Sequence, residues 1–126
     1  MSAKRSGVKV VFLTLVAILL LSLPLAAGAQ MANGFTNLKD GATISGTVEV
    51  KGYASDPRFA KWQLDVLPGG DANAAIFVAL GEQAREFSQT LDTTAFPNGE
   101  HALRLRVVRT DGNYDETIAK FTLANR

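Results

Sequence analysis

Thr47-Val48-Glu49-Val50-Lys51-Gly52-Tyr53-Ala54 alternates without a break. One face reads Val48, Val50, Gly52, Ala54, and the other reads Thr47, Glu49, Lys51, Tyr53. Successive side chains of an extended chain point to opposite faces, so this stretch turns an apolar face to a core and a polar face to water. The pattern returns in Lys61–Val66 with Trp62, Leu64 and Val66 inward, and in Leu103–Val107 with Leu103, Leu105 and Val107 inward. It returns again in Ala119–Leu123, where Ala119, Phe121 and Leu123 share a face. The β-branched and aromatic residues in these runs suit a pleated, half-buried surface.

Turn chemistry separates the runs. Asp40-Gly41 precedes the first, and Ser55-Asp56-Pro57 follows it. Pro68-Gly69-Gly70-Asp71 ends the Trp62 run, Pro97-Asn98-Gly99 introduces the Leu103 run, and Asp111-Gly112-Asn113 ends it. Gly, Asn and Asp tolerate the left-handed backbone that tight turns need. Phe35–Leu38, Ala75–Leu80 and Arg85–Leu91 are weaker strand candidates, and Gly81–Glu86 has room for one helical turn. Short strands at this spacing, with no long helical pattern, predict an all-β sandwich or barrel.

Composition sets further bounds. The chain has 126 residues, a formal net charge of +1, 47% hydrophobic residues and no cysteine. Zero cysteines exclude a disulfide scaffold, a thiolate metal site, a cysteine nucleophile and a lipid-modified cysteine. The charge is too small for a nucleic-acid footprint. These averages conceal two unlike parts. Residues 1–29 carry Lys4, Arg5 and Lys9 with no acid, then an apolar run from Val10 to Leu25, Pro24, and Ala27-Gly28-Ala29. A basic start, an apolar centre and an A-x-A end make a secretory signal, with cleavage after Ala29 leaving Gln30 first. The competing reading is an uncleaved anchor helix over residues 8–27, although a span wants about 20 apolar residues and this one includes Lys9 and Pro24. Either reading exports the remainder, to the periplasm, the cell surface or the medium. Only a start at Met31 leaves the domain in the cytosol. Residues 30–126 hold 10 basic and 12 acidic residues and make one domain with a modest core.

Three segments in order resemble a known family. Asp40-Gly41-Ala42-Thr43-Ile44-Ser45-Gly46-Thr47-Val48-Glu49-Val50-Lys51-Gly52-Tyr53-Ala54 resembles the opening of bacterial Ig-like domains. Leu91-Asp92-Thr93-Thr94-Ala95-Phe96-Pro97-Asn98-Gly99 is similar to their D-T-T-x-[LF]-P-[ND]-G segment. Leu103–Val108 followed by Asp111-Gly112-Asn113 is similar to their L-R-L-x-V strand and D-G-N turn. The resemblance implies an Ig-like antiparallel β-sandwich of about seven strands, behind the N-terminal signal or anchor helix. It implies an exported, envelope or adhesive module, and it brings no catalytic residue and no cofactor. His101 departs from the pattern, standing where the family usually has a Tyr that bonds backbone at a corner. A ring nitrogen can take over that bond.

Nothing in the sequence makes an enzyme. His101 is the only histidine, and a metal site wants more ligands than Glu100 and Asp92 beside it. Ser45, Ser55 and Ser88 are possible partners of His101 in a hydrolytic triad, but none sits in a G-x-S-x-G elbow. Asp111, Asn113 and Asp115 have a D-x-N-x-D spacing that is a weak calcium candidate. Glu116 stands where the EF-hand pattern demands Gly, and a hairpin turn explains the same residues.

The interaction candidates are Tyr53, Arg104, Arg106 and Tyr114. Arg104 and Arg106 share the outer face of one strand, as a basic strip or as a solvated face with partners such as Glu49, Asp65 or Glu116. Trp62 shares the phase of Leu64 and Val66 and belongs in the core. Ala74–Leu80 does not alternate cleanly; it reads as a buried strand or as an exposed edge that pairs with a partner. The expected function is a non-enzymatic exported domain making protein–protein or envelope contact, with no nucleic acid. A membrane enters only if the N-terminal helix is retained. The alternatives are a carbohydrate-binding module and a small extracellular protease inhibitor presenting Ser55–Phe59 or Pro68–Ala74.

Overall fold

The computed structural model describes residues 31–126. The signal or anchor segment, residues 1–29, lies outside the described residues. Alternation produces strands where the sequence predicts them: β3 (Thr47–Ala54), β4 (Phe59–Pro68), β7 (Gly99–Arg109) and β8 (Tyr114–Leu123). Around these lie β1 (Gly34–Phe35), β2 (Ala42–Ile44), β5 (Ile76–Gly81) and β6 (Arg85–Asp92). Single 3-10 turns occupy Ala72–Ala74 and Thr93–Ala95. The helical turn expected at Gly81–Glu86 does not form; Gly81 ends β5 and Arg85 opens β6 in the other sheet. Among the described residues no helix is long and apolar enough to cross a membrane.

The strands make two sheets, ordered β1-β3-β6 and β2-β8-β7-β4-β5. Among the described residues eight strands replace the expected seven or so, because the N-terminal part of the sandwich splits between the sheets, β1 pairing with β3 and β2 with β8. The β2–β8 pair is parallel, which corrects the expectation of a wholly antiparallel sandwich. Asp40-Gly41 pins that pair. The amide of Lys120 donates to Asp40 Oδ1 at 2.7 Å, and the Gly41 amide donates to the Lys120 carbonyl at 2.7 Å.

The core lies between the sheets. Val50, Ala54, Phe87 and Leu91 from the smaller sheet meet Trp62, Leu64, Val66, Leu103, Leu105, Val107, Phe121 and Leu123 from the larger one. At its centre the Trp62 and Phe87 rings stack with centroids 4.5 Å apart. Each ring lies over a glycine paired with it across its own sheet, Trp62 over Gly81 and Phe87 over Gly52. A Cβ on Gly81 would stand 2.3 Å from the Trp62 ring, and one on Gly52 would stand 2.5 Å from Phe87.

The D-T-T segment closes the sandwich at one end. Asp92 caps the short 3-10 turn by accepting from the Thr94 amide at 3.0 Å. Thr93 is fully buried, and its hydroxyl donates to the Gly46 carbonyl at 2.6 Å. Asn125 joins them by accepting from the Gly46 amide at 2.7 Å.

Candidate functional site

The outer faces of the two sheets differ in character. On the smaller sheet Glu49 lies between Ser88 and Thr90 and accepts from both hydroxyls. These bonds hold its carboxyl below the ordinary value, the Ser88 bond contributing most and the Thr90 bond next. Tyr53 is half-buried on the same sheet, opposite Gly34 and Glu86.

The outer face of the larger sheet has a charged centre and apolar flanks. Asp65 and Arg104 are in direct register on β4 and β7, and Arg104 Nη2 lies 2.9 Å from Asp65 Oδ2. Arg104 is only 6% exposed, so it is not part of a solvent-facing basic strip. The two central strands bring a short carboxylate directly beside the guanidinium, and Gln63 Nε2 also donates to Asp65 at 3.1 Å. Arg106 pairs with Glu116 at 2.7 Å, and its guanidinium lies 4.3 Å from the centre of the Tyr114 ring. The structure therefore joins Arg106 with Tyr114, buries Arg104, and leaves Tyr53 on the other sheet.

The flanks of that face are Ile118 on β8, 48% exposed, and Phe77 and Leu80 on β5, 59% and 48% exposed. Ile76 beside them is 45% exposed. A bulge explains why this run fails to alternate. Ala79 pairs with Leu64 and Phe77 pairs with Asp65, so Val78 has no partner. The extra residue turns Phe77 and Leu80 to one face, although three positions separate them. The rows across the sheet become Phe77, Asp65, Arg104, Ile118 and Leu80, Gln63, Arg106, Glu116.

Among the described residues β5 is also an edge strand. The other edges are managed. β1 and β2 have two and three residues, and β6 carries Arg85, Glu86 and Asp92. β5 runs six residues, Ile-Phe-Val-Ala-Leu-Gly, with neither charge nor proline. Short length, charge, proline and bulges are the usual guards of a sheet edge, and of these β5 has only the bulge at Val78. The sequence signal was this absence of charge between Asp71 and Glu82; the bulge that aligns Phe77 with Leu80 left no sequence signal.

The loop at the β7–β8 turn holds the calcium candidates. Asp111 Oδ1 accepts from the Asn113 amide at 2.9 Å, and its Oδ2 lies 3.3 Å from Arg58. The Asn113 amide bond depresses the Asp111 carboxyl, with smaller help from the Asn113 side chain, Arg58 and Arg109. Asp115 lies 2.9 Å from Arg109, which also approaches Asp56 at 3.7 Å. Each carboxylate thus faces an arginine. Among the described residues no group of three or more His, Cys, Asp or Glu is placed to hold a metal ion.

His101 is 6% exposed and spends both ring nitrogens on backbone. The Gly69 amide donates to Nδ1 at 3.2 Å, so Nε2 carries the hydrogen given to the Pro97 carbonyl at 2.7 Å. The ring packs between Phe96 and Phe121. It makes the corner contact that the resemblance assigns to a tyrosine, and a cleft of about 600 Å³ beside it gains no free imidazole nitrogen.

No known family model matches the chain, and no curated protein matches it. Solved structures are similar to it. An endo-β-1,4-mannanase from Thermotoga petrophila is 27% identical with a TM-score of 0.56, over 79% of this chain and 22% of that one. The chain therefore spans about a fifth of that enzyme's length. CopC from Methylosinus trichosporium OB3b is 19% identical with a TM-score of 0.45, over 75% and 96% of the two chains. Murine CRIg is 16% identical with a TM-score of 0.39, over 75% and 97%.

Proposed function

We propose that this chain is a non-enzymatic, exported Ig-like module that makes a protein or cell-envelope contact through the free edge of β5 and the apolar flank beside it. The observation that carries the reading is the uncharged, proline-free edge strand Ile76–Gly81, with Ile76, Phe77 and Leu80 45–59% exposed. An edge strand offers unpaired backbone groups that a partner strand can complete, and neighbouring side chains supply specificity. Export rests on the signal pattern of residues 1–29. His101, Asp65, Arg104, Asp111 and Asp115 are all engaged with other groups of the fold.

Capture from an envelope extract tests the reading, with wild type compared with Phe77→Lys. A partner retained by wild type and lost by the variant supports it. Equal retention by both moves the contact away from β5.

Carbohydrate binding is the second reading, favoured by the likeness to a part of a mannanase. Against it, Tyr53 and Tyr114 lie on different sheets and Trp62 is 6% exposed, so no row of aromatic platforms forms from them. Binding of mannan by the chain, lost on Tyr114→Ala, would establish it.

A further inference from the structure

We infer that the partner strand for β5 is β5 of a second copy of this chain, running antiparallel about a two-fold axis through the Val78–Ala79 peptide. The inference rests on the β5 reading above and names its occupant. The strand is self-complementary in that one arrangement. Ile76 falls opposite Gly81 of the second copy, Phe77 opposite its Leu80, and Val78 opposite its Ala79. At each end a bulky residue thus meets a smaller one, and Ile76 meets no side chain at all.

The bulge makes the match geometric as well as sequential. Residues directly opposite in an antiparallel pair share a face. Phe77 and Leu80 already share the outer face, because each is in register with an outward residue of β4, Asp65 and Gln63. Two-fold pairing therefore puts Phe77 on Leu80 twice, as four contiguous apolar side chains on the outer surface of one continuous ten-stranded sheet. Without the bulge the two residues would lie on opposite faces and neither contact could form.

Charge permits the pairing. No charged residue lies in Ile76–Gly81, so no like charges face each other across the new ladder. A single six-residue strand contact is smaller than the roughly 800 Å² per partner of a standard interface. The association is accordingly concentration-dependent, with a midpoint in the micromolar range or above.

The test is sedimentation of the full chain, purified with whatever N-terminus the exporting host leaves, from about 1 µM to about 500 µM. The expected result is an average mass that rises toward twice that of one chain. Phe77→Lys alone and Leu80→Glu alone each stay at the single-chain mass, while an equimolar mixture of the two recovers the rise. The recovery follows because the mixed pair sets the introduced ammonium opposite the introduced carboxylate at one contact and keeps Phe77 on Leu80 at the other. Unfolding followed by Trp62 fluorescence shows that both variants remain folded. Single-chain mass at every concentration, or a wild-type rise kept by Phe77→Lys, overturns the inference. A single-chain protein that still holds an envelope partner through Phe77 overturns only the second copy; loss of both results overturns the β5 reading as well.

Discussion

Trp62 and Phe87 meet face to face at 4.5 Å, with an interplanar angle of 25°, each backed by a glycine across its own sheet. The four residues span the sandwich from Gly52 through Phe87 and Trp62 to Gly81. A ring over a cross-strand glycine covers backbone that would otherwise lack side-chain packing. Gly81 cannot gain even a methyl group without displacing the indole. Gly81→Ala and Gly52→Ala each cost about 1–3 kcal/mol, the range for overpacking a well-filled core, and Trp62→Ala costs about 3–5 kcal/mol. Urea unfolding of the glycine variants, read by Trp62 emission, checks this; wild-type midpoints would show that the rings yield freely.

The Asp65–Arg104 pair separates a structural role from a binding one. Both side chains are under a tenth exposed. Breaking such a pair from one side leaves an uncompensated buried charge, so Asp65→Ala or Arg104→Ala destabilises by about 3–5 kcal/mol. Replacing both together with Leu and Met costs far less, because no charge is stranded. A double-mutant cycle by chemical denaturation measures the coupling, and additive losses would contradict it.

His101 ties the β4–β5 loop to the Pro97 turn. Its two bonds require hydrogen on Nε2 and a bare Nδ1 in the folded chain. Two-bond nitrogen–proton NMR correlations of the single histidine report that tautomer directly. His101→Phe keeps the packing and removes both hydrogen bonds, for a loss of about 1–3 kcal/mol.

Glu49 gives the fold a defined acid sensitivity. Its folded carboxyl titrates below the ordinary 4.5, chiefly through the Ser88 hydroxyl and then that of Thr90. A depressed carboxyl contributes stability that is complete above the unfolded value and is lost as pH falls through the folded one. Glu49→Gln therefore lowers the melting temperature at neutral pH, and the gap from wild type narrows on acidification below 4.5. A gap that is constant with pH would show that these hydroxyl bonds do not favour the charged form.

Much of the fold was legible because β3, β4, β7 and β8 bury one face, and period-two alternation records that burial residue by residue. Trp62 in the core and the engagement of Arg106 by Glu116 follow from phase and register alone. Arg104 was misleading because it has the parity of an outward residue, yet it lies buried in register with Asp65, a pairing that nothing local records. The strand split into β1 and β2, and the parallel seat of β2, depend on contacts with Tyr53 and Phe121 far along the chain. The β5 surface was half legible. Its lack of charge is written in the sequence, but the bulge at Val78 that turns Phe77 and Leu80 to one face arises only on pairing with β4.

Backbone hydrogen exchange across Ile76–Gly81 reports whether a partner strand completes the β5 edge. It would be measured on dilute chain, on concentrated chain and on chain bound to an envelope fraction. Completing a free sheet edge must slow exchange of the amides that point away from β4. The expected result is added protection within Ile76–Gly81 in the concentrated or bound state, with the Tyr53 and Asp111–Asp115 regions unchanged. Unaltered exchange in β5, with new protection at Tyr53 or in the Asp111–Asp115 loop, would contradict it.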